Sequence, residues 1–278
     1  MNYGTTFRGL FFVVLVFGLP GLTQAQYDVH APEPLPPLEG TLFLHGGGTV
    51  DSEMRHRFTM LSGGNEARIV VIPTADTTDP LNTKKLEVWQ EHQPKSVEFL
   101  HAESRDLLEN SKFEELLENA TGIWFSGGKQ SRLIEIYAGT KVEEGLTRIM
   151  ARGGVLGGTS AGAAIASKVM LVYDEVRSGF DFLPGTIVDQ HFFAKKRTDR
   201  LRHAVELHPA RVGFGIDKKT ALIIRGRRLE VMGDSNVMVT IAASPNRPVR
   251  TEILTPGMRA DLIALRRAAQ SRQAVEFP

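Results

Sequence analysis

Short apolar runs that stop on glycine or proline recur through the first two-thirds of this chain, and they constrain its fold more than any other feature. Residues 40–44 run into His45-Gly46-Gly47-Gly48, and residues 67–72 stop at Pro73. Residues 122–125 meet Ser126-Gly127-Gly128, and residues 154–157 continue into Gly158. Runs this short and this continuously apolar suit strands buried on both faces. Charged amphipathic stretches lie between them. Residues 103–119 place Leu107, Leu108, Phe113, Leu116 and Leu117 at near-helical spacing, and 132–137 and 142–151 add further helix. This alternation predicts an α/β fold, a mostly parallel central sheet flanked by helices. After about residue 210 the rhythm shortens: 214–216, 221–224, 229–232 and 237–241 alternate with polar turns. These predict smaller C-terminal strands that finish the sheet or add an antiparallel edge. No composition break divides residues 40–265, so one domain is expected there, with a C-terminal tail over 266–278 whose Arg266-Arg267 run is expected to face solvent.

The first 25 residues read as an address. Arg8 precedes an apolar or small block, 10–19, that ends at Pro20, and Thr23-Gln24-Ala25 follows as a small-residue exit. Ten helical residues rise about 15 Å, roughly half a bilayer's hydrocarbon core. A cleaved secretory signal fits better than an uncleaved anchor or a buried helix behind a misassigned start. A secreted or periplasmic protein with no stable membrane partner after cleavage is therefore expected. Residues 26–39, with Ala31-Pro32-Glu33-Pro34-Leu35-Pro36-Pro37, read as a proline-rich lead-in. The 33 basic and 32 acidic side chains give a net charge of +1, which argues against a general nucleic-acid binder. Cysteine is absent, which excludes disulfides, zinc-thiolate sites and a cysteine nucleophile.

The sharpest chemical signal is Gly158-Thr159-Ser160-Ala161-Gly162, a Gly-x-Ser-x-Gly turn between the apolar run before it and the alanine-rich run 161–166 after it. Glycines two positions away on each side let a strand meet a helix closely enough to hold a serine in a strained turn. The residue types thus point to Ser160 as a nucleophile, beside a small residue at a helix entrance as the plainer reading. A serine hydroxyl needs a positioned base. Of eight histidines, His191 stands out, because it follows the strand candidate 185–188 within Asp189-Gln190-His191-Phe192-Phe193. That places it at a sheet's carboxyl edge, where the serine is also expected. His45 adjoins the triple glycine and could line the same site. The amides of Gly128 and Ala161 are expected to face a developing oxyanion, with Gln130 beside the substrate. Lys195, Lys196, Arg197, Arg200 and Arg202 make a basic run that could receive a substrate carboxylate or form a solvated face. Neither glycine loop has the Gly-Lys-Ser/Thr ending of a phosphate loop, and no metal or organic cofactor is expected.

These residues together resemble the cyanophycinase branch of the S51 serine peptidases. The likeness runs through Phe125-Ser126-Gly127-Gly128-Lys129-Gln130-Ser131-Arg132-Leu133, Gly158-Thr159-Ser160-Ala161-Gly162-Ala163-Ala164 and Val188-Asp189-Gln190-His191-Phe192, to Gly213-Phe214-Gly215-Ile216-Asp217. The resemblance implies an α/β enzyme, often a homodimer, with its nucleophile at Ser160 and its base at His191. It places substrate contacts at Gln130, Asp189, Gln190, Lys195, Arg197 and Arg200. It implies hydrolysis of aspartyl or isoaspartyl peptide bonds, with cyanophycin, a poly-aspartate carrying arginine on its side chains, among the substrates.

Two positions depart from the family pattern. Lys129 stands where that branch usually has aspartate. Lys218 stands where a glutamate usually completes the triad, and an ammonium cannot accept the histidine N–H. In a working peptidase, Asp217, Asp189 or another acid is then expected to orient His191. Two further readings stand beside it: a homologue that binds acidic peptides without efficient turnover, and a secreted serine esterase using the same turn.

Overall fold

In the computed structural model, which describes residue 1 and residues 36–108, 111–173 and 175–273, each apolar run is a strand. The expected leader (past Met1), most of the lead-in and residues 274–278 lie outside the described residues. From the amino end the elements are β1 (Leu38–His45), α1 (Ser52–Leu61), β2 (Arg68–Ile72), α2 (Lys84–Gln90), β3 (Ser96–Phe99), α3 (Ser111–Asn119) and β4 (Gly122–Phe125). Next come α4 (Gln130–Tyr137), α5 (Lys141–Ala151), β5 (Val155–Thr159), α6 (Ala161–Ala164), β6 (Val169–Val172), β7 (Glu175–Ser178) and β8 (Thr186–Gln190). The remainder is α7 (Thr198–Leu207), β9 (Val212–Ile216), β10 (Thr220–Gly226), β11 (Arg228–Gly233), β12 (Val237–Ile241), β13 (Arg250–Leu254), β14 (Arg259–Asp261) and α8 (Leu262–Gln270).

The α/β class holds, but the strands form two mixed sheets in place of one mostly parallel sheet. The larger has the order β14-β11-β10-β1-β5-β4-β2-β3, and the smaller β13-β12-β9-β8-β6-β7. In the larger sheet β1, β5, β4, β2 and β3 run parallel, while β10, β11 and β14 add antiparallel neighbours beyond β1. The antiparallel half follows from connection length: only Arg227 separates β10 from β11, and a turn that short can only return the chain beside itself. The C-terminal strands do not all finish one sheet. Between Ile216 and Thr220 the chain leaves β9 in the smaller sheet and enters β10 in the larger one.

The register of the two parallel sets positions everything that follows. In the larger sheet Leu44 pairs with Gly158, His45 with Thr159, and Phe125 with Gly158. In the smaller sheet Asp189 pairs with Gly215 and Gln190 with Ile216. The carboxyl ends of β1, β4 and β5 are therefore level with one another, as are those of β8 and β9. A backbone bond stitches the sheets together: the His191 amide donates to the Gly46 carbonyl at 2.7 Å, while the Phe192 amide, donating to Ile216 at 3.2 Å, extends the β8–β9 pairing within the smaller sheet.

Alternation along β1 sends Leu42 and Leu44 into the main core and Phe43 to the opposite face. There Phe43, Phe58, Trp89 and Trp124 pack edge to face or tilted. Phe58 lies 5.9 Å from Phe43 and 5.2 Å from both tryptophans, centroid to centroid. Phe58 comes from α1, whose start is fixed by Asp51 accepting the Met54 amide at 2.8 Å.

Three helical expectations need correction. Residues 103–119 are not one helix: Arg105–Leu108 forms a 3-10 turn in which Leu108 is buried and Leu107 exposed. The alanine run after Ser160 makes only one helical turn, α6. Arg266 is not on a solvated face or in a tail. It lies within α8 with 2% of its surface exposed, because Leu262, Leu265 and Ala269 turn that side of the helix inward. Among the described residues no helix is long and apolar enough to cross a membrane.

Phe58→Ala should lower unfolding free energy by about 3–5 kcal/mol, read from urea denaturation, since the aromatic cluster would keep a ring-sized void. A loss below about 1 kcal/mol would mean that the cluster contributes little to holding α1 against the larger sheet.

Candidate active site

Ser160 sits between the last residue of β5 and the first of α6, with φ +53° and ψ −106°. A non-glycine residue adopts such a backbone only when its surroundings impose it. The imposed contact is the close crossing of β5 and α6. A Cβ at Gly158 would stand 2.7 Å from the Gly162 carbonyl group, and one at Gly162 would stand 2.5 Å from the Phe125 oxygen. Both glycines of the motif are therefore required by space. The Ser160 amide donates to the His45 carbonyl at 2.9 Å, and the Ser160 carbonyl accepts from Ala163 and Ala164, each at 3.0 Å.

His191 reaches the serine from the other sheet. It follows β8 with φ +51°, and its Nε2 lies 2.8 Å from Ser160 Oγ. Its imidazole rests on the backbone of Gly47, where a Cβ would come within 2.2 Å of the ring. The triple-glycine loop is thus the floor under the imidazole. His45 is buried behind this floor. Its Nδ1 accepts the Gly47 amide at 3.3 Å and pairs with the Thr159 hydroxyl at 2.8 Å. Burial pushes the His45 pKa down to about 4, so this ring is neutral scaffolding at neutral pH.

The His191 pKa also falls to about 4. Burial is the largest cause, followed by the positive charges of Lys195, Lys218 and Arg197, with Asp217 pulling weakly the other way. The imidazole is therefore neutral at pH 7, and its buried Nδ1 has no hydrogen-bond partner. Asp217 does not supply one. Its Oδ1 accepts the Ala194 amide at 3.0 Å and its Oδ2 accepts the Ser235 hydroxyl at 2.9 Å, so it holds the loop after His191 and not the ring. The expected Asp217–His191 pairing is absent: one oxygen holds the loop after His191 and the other the turn at Ser235 between β11 and β12.

Asp189 is equally committed, and it is no contact for a ligand. Its side chain is 0% exposed. Oδ1 accepts from Arg197 Nη1 at 3.0 Å and Arg200 Nη2 at 2.9 Å, and Oδ2 accepts from Arg200 Nε at 3.1 Å. The Gln190 amide adds a fourth bond at 2.9 Å. Burial pushes this carboxyl up, while the two guanidiniums and the amide pull it back down. Its role is to hold two arginines. Arg197 also bonds the Gln190 side-chain oxygen at 3.0 Å, and Arg200 the Tyr173 carbonyl at 2.9 Å. Gln130 Nε2 donates to the Leu171 carbonyl at 2.8 Å, and Gln190 Nε2 to Gln130 Oε1 at 3.4 Å.

Ser160, His191, Gln130, Gln190, Lys195, Arg197 and Arg200 border one cavity of about 410 Å³, together with Gly128 and Lys129. Ala161 is fully buried just behind the serine, at the first position of α6, where its amide has no intrahelical acceptor. The sequence reading missed Tyr173, which borders the cavity from the tip of the β6–β7 hairpin with 86% of its surface exposed. Nothing in the stretch around it signals a site; only the hairpin's position against Arg200 reveals it.

An α/β fold that ends a buried strand on a serine hydroxyl, with an imidazole 2.8 Å away at the mouth of a cavity, defines the class of serine hydrolases. The sequence model of Peptidase family S51 matches residues 42–232. A cyanophycinase from Nostoc sp. (strain PCC 7120) is 32% identical over 240 residues, spanning 80% of this chain and 79% of that one. A cyanophycinase from Geminocystis herdmanii is 31% identical over 211 residues, spanning 69% of this chain and 78% of its own length. The crystal structure of a peptidase from an acI-B1 Actinobacterium superposes with a TM-score of 0.61 at 24% identity, covering 81% of this chain and 98% of that one, a likeness of fold. The chain belongs to peptidase family S51 and is a serine-type peptidase.

Asp189→Asn should destabilise the protein by about 3–5 kcal/mol, because it leaves two partly buried guanidiniums without their counter-ion. Urea unfolding measures this, and an unchanged midpoint would show that the arginines do not depend on Asp189.

Proposed function

We propose that this chain hydrolyses aspartyl or isoaspartyl bonds in peptides that present a free carboxylate, with Ser160 as nucleophile and His191 as general base. The observation that carries this reading is the 2.8 Å Oγ–Nε2 contact at the edge of a cavity whose other side bears Lys129, Lys195, Arg197 and Arg200. With Ser160 donating to Nε2, the ring proton sits on Nδ1. Nε2 takes the serine proton as Oγ attacks the amide carbon. The Gly128 and Ala161 amides face the oxyanion, and the imidazolium then protonates the leaving amine. Water deprotonated by the same ring resolves the acyl-enzyme. The turn at Ser160 acts as the nucleophile elbow.

Charge narrows the substrate. Asp189, beneath the cavity, is fully engaged by two arginines, and among the described residues that line the cavity the charged ones are all basic, so these walls keep an excess of positive charge. A substrate carboxylate is attracted there and a guanidinium repelled. Lys129 on the cavity wall and Lys218 near His191 add to that field. Acidic peptides are therefore favoured over the arginine-bearing polymer named by the cyanophycinase relatives. The same field favours a peptide over a neutral ester. One observation favours the second reading, a binding protein of low turnover: the His191 Nδ1 without an acceptor. Export is part of the proposal and rests on Arg8, the apolar block 10–19 and Thr23-Gln24-Ala25. A homodimer also belongs to it, on the family resemblance.

Isoaspartyl dipeptides should be cleaved with higher kcat/KM than cyanophycin, and Ser160→Ala should lower kcat by about 10⁴-fold or more while leaving the far-UV spectrum unchanged. A Ser160→Ala protein with wild-type turnover sinks the serine mechanism. No cleavage of any aspartyl peptide by the wild type favours the binding reading.

The pH profile offers an independent check. The base works when neutral, and its pKa is about 4 against an ordinary 6.5, so kcat/KM should hold from neutral pH to about pH 5 and halve near pH 4. Lys218→Met removes a repelling charge and should move this acid limb toward higher pH. A limb near 6.5 in the wild type would mean that neither burial nor the surrounding cations lower the basicity of His191.

A further inference from the structure

Away from the active site, a second cavity of about 400 Å³ lies between the start of β1, the end of α5, residues 180–184 and α8. It shares no lining residue with the cavity at Ser160. Phe180, Phe182, Met150 and Pro184 make its walls largely apolar, and Arg266 and Asp181 are the charged residues set among them with unmatched atoms.

The Arg266 guanidinium donates from Nη1 to the Pro36 carbonyl at 3.2 Å, while Nε and Nη2 are buried and have no partner. Those two nitrogens lie on one edge of the planar group, the edge that takes both oxygens of a carboxylate side-on. Burial lowers the Arg266 pKa to about 10, which still leaves it fully charged at neutral pH. An unpaired buried cation is costly, and natural interiors keep one where something supplies the anion. Asp181 carries a complementary vacancy on one oxygen, although its carboxyl accepts a backbone bond from Lys168 and feels the charges of Arg211, Lys168 and Arg266. Its Oδ1 is buried without a partner, and its backbone is held at φ +64°. Neither free edge bonds the other, so a donor fork and an acceptor oxygen stand unmatched on two residues that line one largely apolar space, which Glu39 also borders.

We propose that this cavity binds a free α-amino acid with an apolar side chain, its carboxylate on the Nε–Nη2 edge of Arg266 and its ammonium on Asp181. An anion alone would leave Asp181 Oδ1 unmatched, and an amine alone would leave the Nε–Nη2 edge of Arg266 unmatched. A zwitterion on an apolar body matches both and fills the space between Phe180, Phe182 and Met150. Because the free nitrogens are closed to solvent as placed, the guanidinium turns from the Pro36 carbonyl toward the cavity it borders. The single bond of 3.2 Å leaves it free to do so.

Thermal unfolding and calorimetry of the full chain with L-phenylalanine, L-leucine, N-acetyl-phenylalanine and phenylalaninamide test this site. Both amino acids should raise Tm saturably. The acetylated and amidated probes should bind at least ten-fold more weakly, since each lacks one charge. Arg266→Met should abolish the shift while leaving the ligand-free Tm equal or higher, because it removes an unpaired buried charge. Asp181→Asn should weaken phenylalanine ten-fold and erase its advantage over the acetylated probe, which keeps the idea testable if the methionine variant does not fold. No saturable shift with either amino acid overturns the proposal. So does binding that survives Arg266→Met, or a Tm drop in that variant with no ligand response in the wild type, which would make Arg266 a purely structural tie to Pro36.

Discussion

The reacting pair exists only because two sheets are held at a fixed distance. Ser160 belongs to the end of β5 in one sheet and His191 to the end of β8 in the other, so no single element sets the 2.8 Å between them. Two backbone bonds to neighbouring residues do. The Ser160 amide reaches the His45 carbonyl, and the His191 amide reaches the Gly46 carbonyl. Successive carbonyls at the end of β1 therefore hold both partners, and β1 is the common ruler. Both partners carry positive φ, and both are held there by these bonds to an edge that cannot move without breaking the pairing of β1 with β5 and β10. The glycines beside His45 serve the same end, since only a residue without a side chain leaves room for the imidazole at Gly47.

Beneath this pair lies an inverted charge arrangement. The buried acid Asp189 does not meet the imidazole; it meets the two arginines, and Arg200 in turn bonds the carbonyls of Leu171 and Tyr173 in the β6–β7 hairpin. Gln130 reaches the same Leu171 carbonyl from α4. One carboxylate thus fixes the cationic wall and, through it, the hairpin that carries Tyr173. What remains over is positive charge, and it adds to burial in lowering the basicity of His191.

Much of this was legible in the residue string because the relevant signals are local. Gly158 and Gly162 around Ser160 reflect a crossing that leaves no space for a Cβ, and the strand before His191 fixed its place at a sheet edge. The runs 122–125 and 237–241 became β4 and β12 with the same bounds. What stayed hidden depends on partners distant in sequence. Whether Asp217 meets His191 turns on Ala194 and Ser235, and whether Asp189 meets a ligand turns on Arg197 and Arg200. The split into two sheets could not be read because the strands of both are interleaved along the chain. Arg266 looked like part of a solvated basic run, and only the packing of Leu262 and Leu265 shows that its neighbour Arg267 takes the outer position and Arg266 the inner one.

The missing acceptor on Nδ1 bears on which step of the proposed reaction is slow. A carboxylate in that place stabilises the imidazolium that forms when serine attacks, and here Lys195, Lys218 and Arg197 oppose it. The first proton transfer, from Oγ to Nε2, is therefore uphill by more than in a triad. The second is easier for the same reason, because an imidazolium of low pKa gives its proton readily to a leaving amine. In the proposed reaction the barrier therefore weighs on formation of the tetrahedral intermediate more than on protonation of the leaving amine. Under the proposed function, a substrate carboxylate beside Lys195 and Arg197, which both line the cavity, would offset two of the three opposing charges and make His191 a better base, whereas a neutral peptide of equal size would not.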